Sequence, residues 1–196
     1  YIRLNYEPFN RIYIRILGIM MRESEHRCFN GVIWYLIGAW FVLAAFPKDI
    51  GVMGILLLSW CDTAASTIGR AFGKHTPRIR KGKSLAGSTA AFVVGIATAS
   101  VFWGWLAPRT GPFPGDENFP FMFKGVIRLP ATVRNYLGLT ETQTTVRGGL
   151  ALSIMSLWTG FIASTSEAAN VFGFDDNLTI PALTGIGMWG FLKVFG

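Results

Sequence analysis

The chain predicts an all-α fold, a polytopic transmembrane helix bundle of about five spans. Three observations carry that reading: long apolar runs, a low charge content, and basic residues gathered between the runs. The 196 residues are 51% hydrophobic and 15% charged, whereas a soluble domain carries about 25% charged residues. Mean hydropathy is +0.41. A crossing helix needs ~20 mostly apolar residues. Five segments come near that, at residues 28–46, 50–68, 84–107, 148–169 and 178–195. One transmembrane domain over 28–196 follows, preceded by a separate basic segment over 1–27. The chain opens on Tyr1 rather than Met, without a signal-peptide pattern, and is expected to be a piece of a longer protein.

Residues 1–27 hold five arginines (Arg3, Arg11, Arg15, Arg22, Arg27) beside Phe9, Ile12, Ile14, Ile16 and Leu17. That mixture predicts an amphipathic helix lying at the membrane interface, or else the tail of an upstream span. The first two spans are joined only by Pro47-Lys48-Asp49, so they form a tight hairpin. Residues 70–83 follow, with six Lys/Arg and no acid. The positive-inside rule puts both basic segments in the cytoplasm. Parity then makes 108–147 lumenal. It holds five prolines (Pro108, Pro112, Pro114, Pro120, Pro130) and predicts an irregular loop. Parity returns the turn before the last span, with Asp175 and Asp176, to the cytoplasm. The polar clusters of spans two to five therefore meet on one face.

Net charge is +7 and the isoelectric point about 9.8. Lys/Arg flanking the spans account for much of that, and a polyanionic ligand is the sharper account. Nucleic acid is not the expected partner, because no basic-aromatic binding module is visible. Cys28 and Cys61 lack metal-ligand spacing and imply neither a disulfide framework nor a zinc site. Gly185-Ile-Gly187-Met-Trp-Gly190 matches G-x-G-x-x-G but lies inside an apolar helix with no preceding strand. These glycines are expected to serve helix packing.

Asp62 is the most informative residue. A carboxylate inside an apolar run is expensive, so it should face a polar cavity. On a helix, Ser59, Asp62, Ser66 and Gly69 share a face. Asp62 is then a Mg²⁺ ligand or a catalytic base; a structural hydrogen bond to a neighbouring helix is the plainer alternative. Gly69-Arg70 ends this span, with Arg70 placed for bidentate phosphate contact. Lys83-Ser84-Leu-Ala-Gly87-Ser88 opens the next. Exposed N–H groups and the positive helix end there would bind an anion, Lys83 adds charge, and Ser84 can cap or bind phosphate. Glu167 shares a face with Gly160 and Ser164, and Asp175 and Asp176 precede the last span. Their plain role is dipole matching; their functional role is to hold Mg²⁺, which takes one or two carboxylates and keeps waters. Asn177 can cap that span, with Pro181 in its first turn. Arg22, Glu25 and Asn30, ahead of the first span, are weaker candidates. His26 and His75 lack partners that would give them a role.

At these residues the chain resembles the polyprenol-kinase-like family of CTP-dependent membrane lipid kinases. The carrying stretches are Asp62-Thr-Ala-Ala-Ser-Thr-Ile-Gly69-Arg70, Lys83-Ser-Leu-Ala-Gly87-Ser88, and Glu167 with Asp175-Asp176-Asn177-Leu-Thr-Ile-Pro181. Arg22-Glu-Ser-Glu25, Asn30-Gly-Val-Ile-Trp-Tyr35 and Leu58-Ser-Trp-Cys-Asp62 bring it nearest the fungal CTP-dependent diacylglycerol kinases within that family. Its nucleotide region is also similar to that of phosphatidate cytidylyltransferases. The resemblance implies a multi-pass enzyme of the endoplasmic reticulum and nuclear envelope, with its site facing the cytoplasm. Its substrates would be CTP and diacylglycerol, and its cofactor Mg²⁺ or another divalent cation such as Ca²⁺. It implies a nucleotide site drawn from Thr63, Ser66, Gly69, Arg70, Lys83, Ser84, Gly87 and Ser88. Catalysis would fall to Asp62, Lys83 and Arg70, and metal binding to Asp62, Glu167, Asp175 and Asp176. Asp62 and Gly69 match residues needed for activity. The family also carries a functional Arg-Lys pair ahead of an earlier span, upstream of where this chain opens. A dolichol kinase, a cytidylyltransferase and an ion-coupled carrier are the alternatives. Against the carrier, the acids lie toward the ends of their spans and no inverted repeat is visible.

Overall fold

The computed structural model describes residues 5–17, 31–80, 82–111, 117–169 and 174–196. Within the first stretch α1 (Glu7–Leu17) is strongly amphipathic. Phe9, Ile12 and Ile16 are exposed on one side, and Arg11 pairs with Glu7 at 2.6 Å on the other. An apolar stripe facing outward opposite an ion-paired stripe suits a helix lying on a bilayer surface.

Four long apolar helices make the bundle: α3 (Lys48–Phe72), α4 (Leu85–Val101), α7 (Gly149–Ala168) and α8 (Asp176–Phe195). Each belongs to a stretch long and apolar enough to cross a membrane. They pack as a ring, α3 on α4, α4 on α7, α7 on α8 and α8 on α3. The apolar helix α2 (Gly31–Ala45) packs outside, on α3 and α8. It is 15 residues long as described, and the predicted start of its span, residues 28–30, lies outside the described residues. Its Val32, Leu36 and Trp40 point outward, as suits a helix facing lipid tails.

Small residues let these helices approach, since between membrane helices close packing replaces the hydrophobic drive. At the α4–α7 crossing, a Cβ on Gly95 would lie 2.9 Å from Gly160 Cα, and one on Gly160 2.6 Å from Phe92 O. The bundle core is Ile50, Met53, Leu57 and Cys61 of α3 with Ala91, Met155, Ala163 and Met188. The G-x-G-x-x-G stretch lies within α8 and is used for packing. Gly187 O accepts from Trp158 Nε1 at 3.0 Å, and a Cβ on Gly185 would meet Phe46 at 2.9 Å.

The structure departs from the sequence expectation at three places. Lys48 and Asp49 are not linker residues but the first turn of α3, behind an extended Pro47. Pro181 falls in the second turn of α8, because that helix starts at Asp176 rather than at 178. Residues 108–147 are not wholly irregular. α4 runs on through a π-helical turn (Phe102–Leu106) into α5 (Ala107–Thr110). Beyond it β3 (Val126–Arg128) pairs antiparallel with β4 (Thr145–Arg147), with α6 (Ala131–Tyr136) between them. The β-branched Val126, Ile127 and Val146 favour the paired strands, and Ile127 is buried with the bundle core. Asp49 clamps this loop. It is fully buried and accepts from Met122 N at 3.0 Å, Phe123 N at 3.1 Å and Trp103 Nε1 at 3.3 Å.

Candidate active site

At the other end of α3, about 20 Å from Asp49 at 1.5 Å per residue, the bundle opens into a polar cavity of about 330 Å³. Asp62, Ala65, Ser66, Gly69 and Arg70 line it from α3, Ser84, Gly87 and Ser88 from the start of α4, Glu167 from the end of α7, and Asp176 from the start of α8. The remaining wall is a two-stranded hairpin, β1 (Arg78–Arg80) with β2 (Lys83–Ser84), in which Arg78 faces Ser84 and Arg80 faces Lys83. Gly82 closes its turn at φ +83°, where a side chain would be strained. Arg80 ties the hairpin to the end of α7 through a 2.9 Å hydrogen bond from Nη1 to Ala169 O. A second cavity of about 230 Å³ continues outward, adding Gly73, Lys74 and Arg78.

Lys83 is the hub. Its ammonium donates to Glu167 Oε1 and, at 3.0 Å, to Asp176 Oδ2. Burial works against its charge, but its bonds to these two carboxylates outweigh that and hold Lys83 above the ordinary lysine value. A lysine ammonium has three N–H donors. Two are engaged here, and the third can meet a phosphate oxygen. Glu167 is buried; its Oε1 takes Lys83, while its Oε2 is buried with no hydrogen-bond partner. Asp62 is half-buried in the same lining.

The start of α4 is not built as the sequence suggests. Its first N–H groups are already occupied: Leu85 N by Pro77 O at 3.0 Å, Ala86 N by Thr76 Oγ1 at 3.3 Å, and Gly87 N by the capping Ser84 Oγ at 3.3 Å. The helix dipole remains, but not a cradle of exposed donors. Gly87 serves approach, since a Cβ there would stand 2.8 Å from Ala65 O.

Thirteen of the sequence-derived candidates lie among the described residues, and the cavity gathers ten of them: Asp62, Ser66, Gly69, Arg70, Lys83, Ser84, Gly87, Ser88, Glu167 and Asp176. Thr63 is on the opposite face of α3, its hydroxyl donating to Ser59 O at 2.6 Å. Ser59 shares that face. Asp175 is the N-cap of α8, its Oδ1 accepting from Asn177 N at 2.9 Å. Ser164 joins α7 to α4 through Ser88 O at 2.8 Å. Arg22, Glu25 and Asn30 lie outside the described residues. The sequence assigns Gly82 no role, and it leaves Arg80 a basic side chain for solvent, lipid or phosphate rather than the tether it is. Gly82, between Lys81 and Lys83, was the legible signal of a turn inside the basic segment.

Three carboxylates in one cavity repel each other, and a divalent cation would relieve that. The orphaned Glu167 Oε2 suits such an ion. Among the described residues no three acid, His or Cys side chains converge to hold a metal by themselves. Mg²⁺ carried by a polyphosphate does not ask for that, since it commonly uses one or two carboxylates with phosphate oxygens and water.

A multi-pass helical bundle with carboxylates, a lysine and an arginine gathered at one mouth has the parts of a membrane phosphotransferase. Comparison with known proteins is specific on this point. The chain is 43% identical over 185 residues to CTP-dependent diacylglycerol kinase 1 of Schizosaccharomyces pombe, covering 93% of this chain and 70% of that protein. It is 42% identical over 189 residues to the protein of that name in Eremothecium gossypii, covering 95% and 52%. With that of Saccharomyces cerevisiae it shares 39% over 196 residues, covering 99% and 59%. The chain belongs to the CTP-dependent diacylglycerol kinase family. It spans between about half and seven-tenths of the length of these relatives. No protein-family model matches the chain, and no solved structure matches it.

Proposed function

We propose that this chain carries the catalytic centre of a lipid kinase that moves the γ-phosphate of CTP onto diacylglycerol, giving phosphatidate and CDP. The observation that carries the reading is the convergence of Asp62, Lys83, Glu167 and Asp176, from four separate segments, on one cavity at the bundle mouth. In the reaction the lipid hydroxyl oxygen attacks the γ-phosphorus. The bond from the γ-phosphorus to the β–γ bridging oxygen breaks, that oxygen leaves with its electron pair on CDP, and the hydroxyl proton passes to a base. Such transfer depends on positioning and charge neutralisation more than on covalent chemistry. Lys83 and Arg70 would neutralise phosphate oxygens, with Arg78 and Lys74 extending the basic wall outward. Asp62, on the lining of α3, would take the hydroxyl proton or orient the hydroxyl. Glu167 and Asp176 would hold Lys83 in register. A divalent cation, Mg²⁺ or Ca²⁺, would be held by Asp62, Glu167 and Asp176 and would supply charge neutralisation at the phosphates.

The apolar helices make a multi-pass membrane protein. Five Lys/Arg between α3 and α4, with Arg70 in the last turn of α3, support a cytoplasmic mouth by the positive-inside rule. The family resemblance supports endoplasmic reticulum and nuclear envelope as the membranes.

The test is an assay with γ-labelled CTP and detergent-dispersed lipid alcohols. Label in phosphatidate is the expected result. Label in dolichyl phosphate, or label only in pyrophosphate, would replace the reading by a polyprenol kinase or a cytidylyltransferase.

A further inference from the structure

The helix pair that forms one wall of the polar cavity has a second, opposite concavity. On its outer side α3 and α4 enclose an apolar groove of about 1060 Å³. Its floor is small, with Ala64 and Ala90, and its walls are large, with Trp60, Phe72, Leu85 and Val93. Those four wall residues are half exposed, at 52%, 56%, 46% and 57%. The hydroxyls along the groove do not make it polar. Thr63 donates to Ser59 O and Thr89 to Leu85 O at 2.9 Å, so both bond back to their own helices.

From Leu85 to Val94 the groove runs about 14 Å along α4, which is one leaflet of a ~30 Å hydrocarbon core. Its upper end meets the polar side. The turn of chain at Phe72–Thr76 is the divider: Phe72 and Thr76 line the groove, while Gly73 and Lys74 line the outer polar cavity beside Lys83 and Ser84. A Cβ on Gly73 would stand 2.9 Å from Ser84 Oγ, so nothing bulkier than glycine fits that rim without a shift. A lipid lying in the groove has its polar end delivered to this rim.

We propose that the α3–α4 groove is the subsite for the acyl chains of diacylglycerol, with the chains in one leaflet and the glycerol hydroxyl turned over the Gly73–Ser84 rim toward Lys83. This rests on the diacylglycerol kinase reading and names its acceptor subsite. The groove abuts the outer polar cavity at the Phe72–Thr76 turn, matches a leaflet in length, and lacks side-chain charge along its walls, which fits a neutral lipid rather than a charged one.

Two measurements test it, one of them independent of turnover. Ala90→Phe fills the groove floor on a lipid-facing side, where an extra aromatic ring is compatible with folding. Displacing about two methylene groups from protein contact accounts for roughly a tenfold loss. Apparent KM for dioleoylglycerol should therefore rise about tenfold, while KM for CTP stays constant. Unchanged kinetics, or an equal rise in KM for CTP, would overturn the proposal. The second measurement is photolabelling of the membrane-embedded protein with a diacylglycerol carrying a diazirine on its acyl chain. Label on the α3 and α4 peptides, displaced by unlabelled diacylglycerol and reduced by Ala90→Phe, is expected. Label spread evenly over the outer faces of α2 and α8 would overturn the groove. Groove labelling with no phosphate transfer from CTP would instead leave the subsite standing and sink the kinase reading.

Discussion

Lys83 and Asp176, 93 positions apart in the chain, are joined by a 3.0 Å ion pair that closes the bundle mouth. The same ammonium holds Glu167, so one side chain links the β-hairpin to α7 and α8. That gives Lys83 two roles, holding the site together and meeting phosphate.

Removing the ammonium should expose both roles. Lys83→Ala is expected to weaken CTP binding by about 1.5–3 kcal/mol, the size of a hydrogen bond to a charged group. It should also lower thermal stability, because Glu167 is buried and loses its partner. Lys83 is held above its ordinary value of 10.5, so its pairing stabilises the fold fully below that pH. The contribution fades only as pH rises through the higher folded value. The stability gap between wild type and Lys83→Ala should thus be flat from about pH 7 to 9 and close above about 10.5. Thermal unfolding in detergent and CTP titration at fixed salt check both. Normal CTP affinity in a destabilised variant would leave Lys83 a purely structural residue.

Asp62 lines the cavity from α3, beside Lys83, Glu167 and Asp176. Asp62→Asn keeps the size and most of the hydrogen bonding. Turnover should fall by at least about 10²-fold, within the usual range for a lost catalytic acid–base group, while unfolding temperature changes little. Near-normal turnover in the folded variant would remove Asp62 from the mechanism.

The apolar runs made the four long helices legible, and Lys/Arg parity alone brought Asp62, Lys83, Glu167 and Asp176 to one end. What stayed hidden was pairing with backbone. Asp49 next to Lys48 looks like any charged linker, and nothing in its neighbourhood announces that the N–H groups of Met122 and Phe123 will need it. The N-terminus of α4 looks open for the same reason. Its N–H groups are taken by Pro77 O and Thr76 Oγ1, partners whose role depends on how the hairpin folds back. Thr63, which the resemblance implies for the nucleotide site, faces away from it although it adjoins Asp62, since neighbours on a helix diverge by about 100° and meet different surroundings.

Ser84 and Gly69 should separate capping from binding. Ser84 Oγ accepts from Gly87 N, so Ser84→Ala should cost about 1 kcal/mol of stability, as for a lost N-cap, with little change in CTP affinity. Gly69→Ala should do the reverse. Its Cβ would meet Ser84 Oγ at 3.4 Å, an ordinary contact, yet would narrow the cavity. Parallel melting and CTP titration decide it. A loss of CTP affinity for Ser84→Ala, with stability intact, would make the hydroxyl a phosphate ligand after all.

Topology follows from the same placement. His75 and Phe174 are exposed near the mouth, and Asn118 is exposed in the loop that Asp49 anchors at the far end. In a background with Cys28 and Cys61 replaced by Ser, His75→Cys and Phe174→Cys should react with an impermeant maleimide in sealed microsomes. Asn118→Cys should react only after detergent. The opposite pattern would turn the site to the lumen.

Asp49 offers the sharpest stability prediction. Its carboxylate accepts two backbone N–H groups and the Trp103 indole, all at or near the core, and is fully buried. Asp49→Ala leaves three donors without a partner, each worth about 1–3 kcal/mol when buried and unsatisfied. Partial relaxation toward water reduces the sum, so a loss of about 2–5 kcal/mol is expected. Asp49→Asn retains one carbonyl acceptor and should lose less. Because the loop it holds is remote from Lys83 and Asp62, CTP affinity of the folded fraction should be unchanged in both variants. Thermal unfolding with and without saturating CTP measures this, the ligand-induced shift being the same as in wild type if the two ends are independent. A diminished shift would mean that the loop clamp and the phosphate site are coupled through α3.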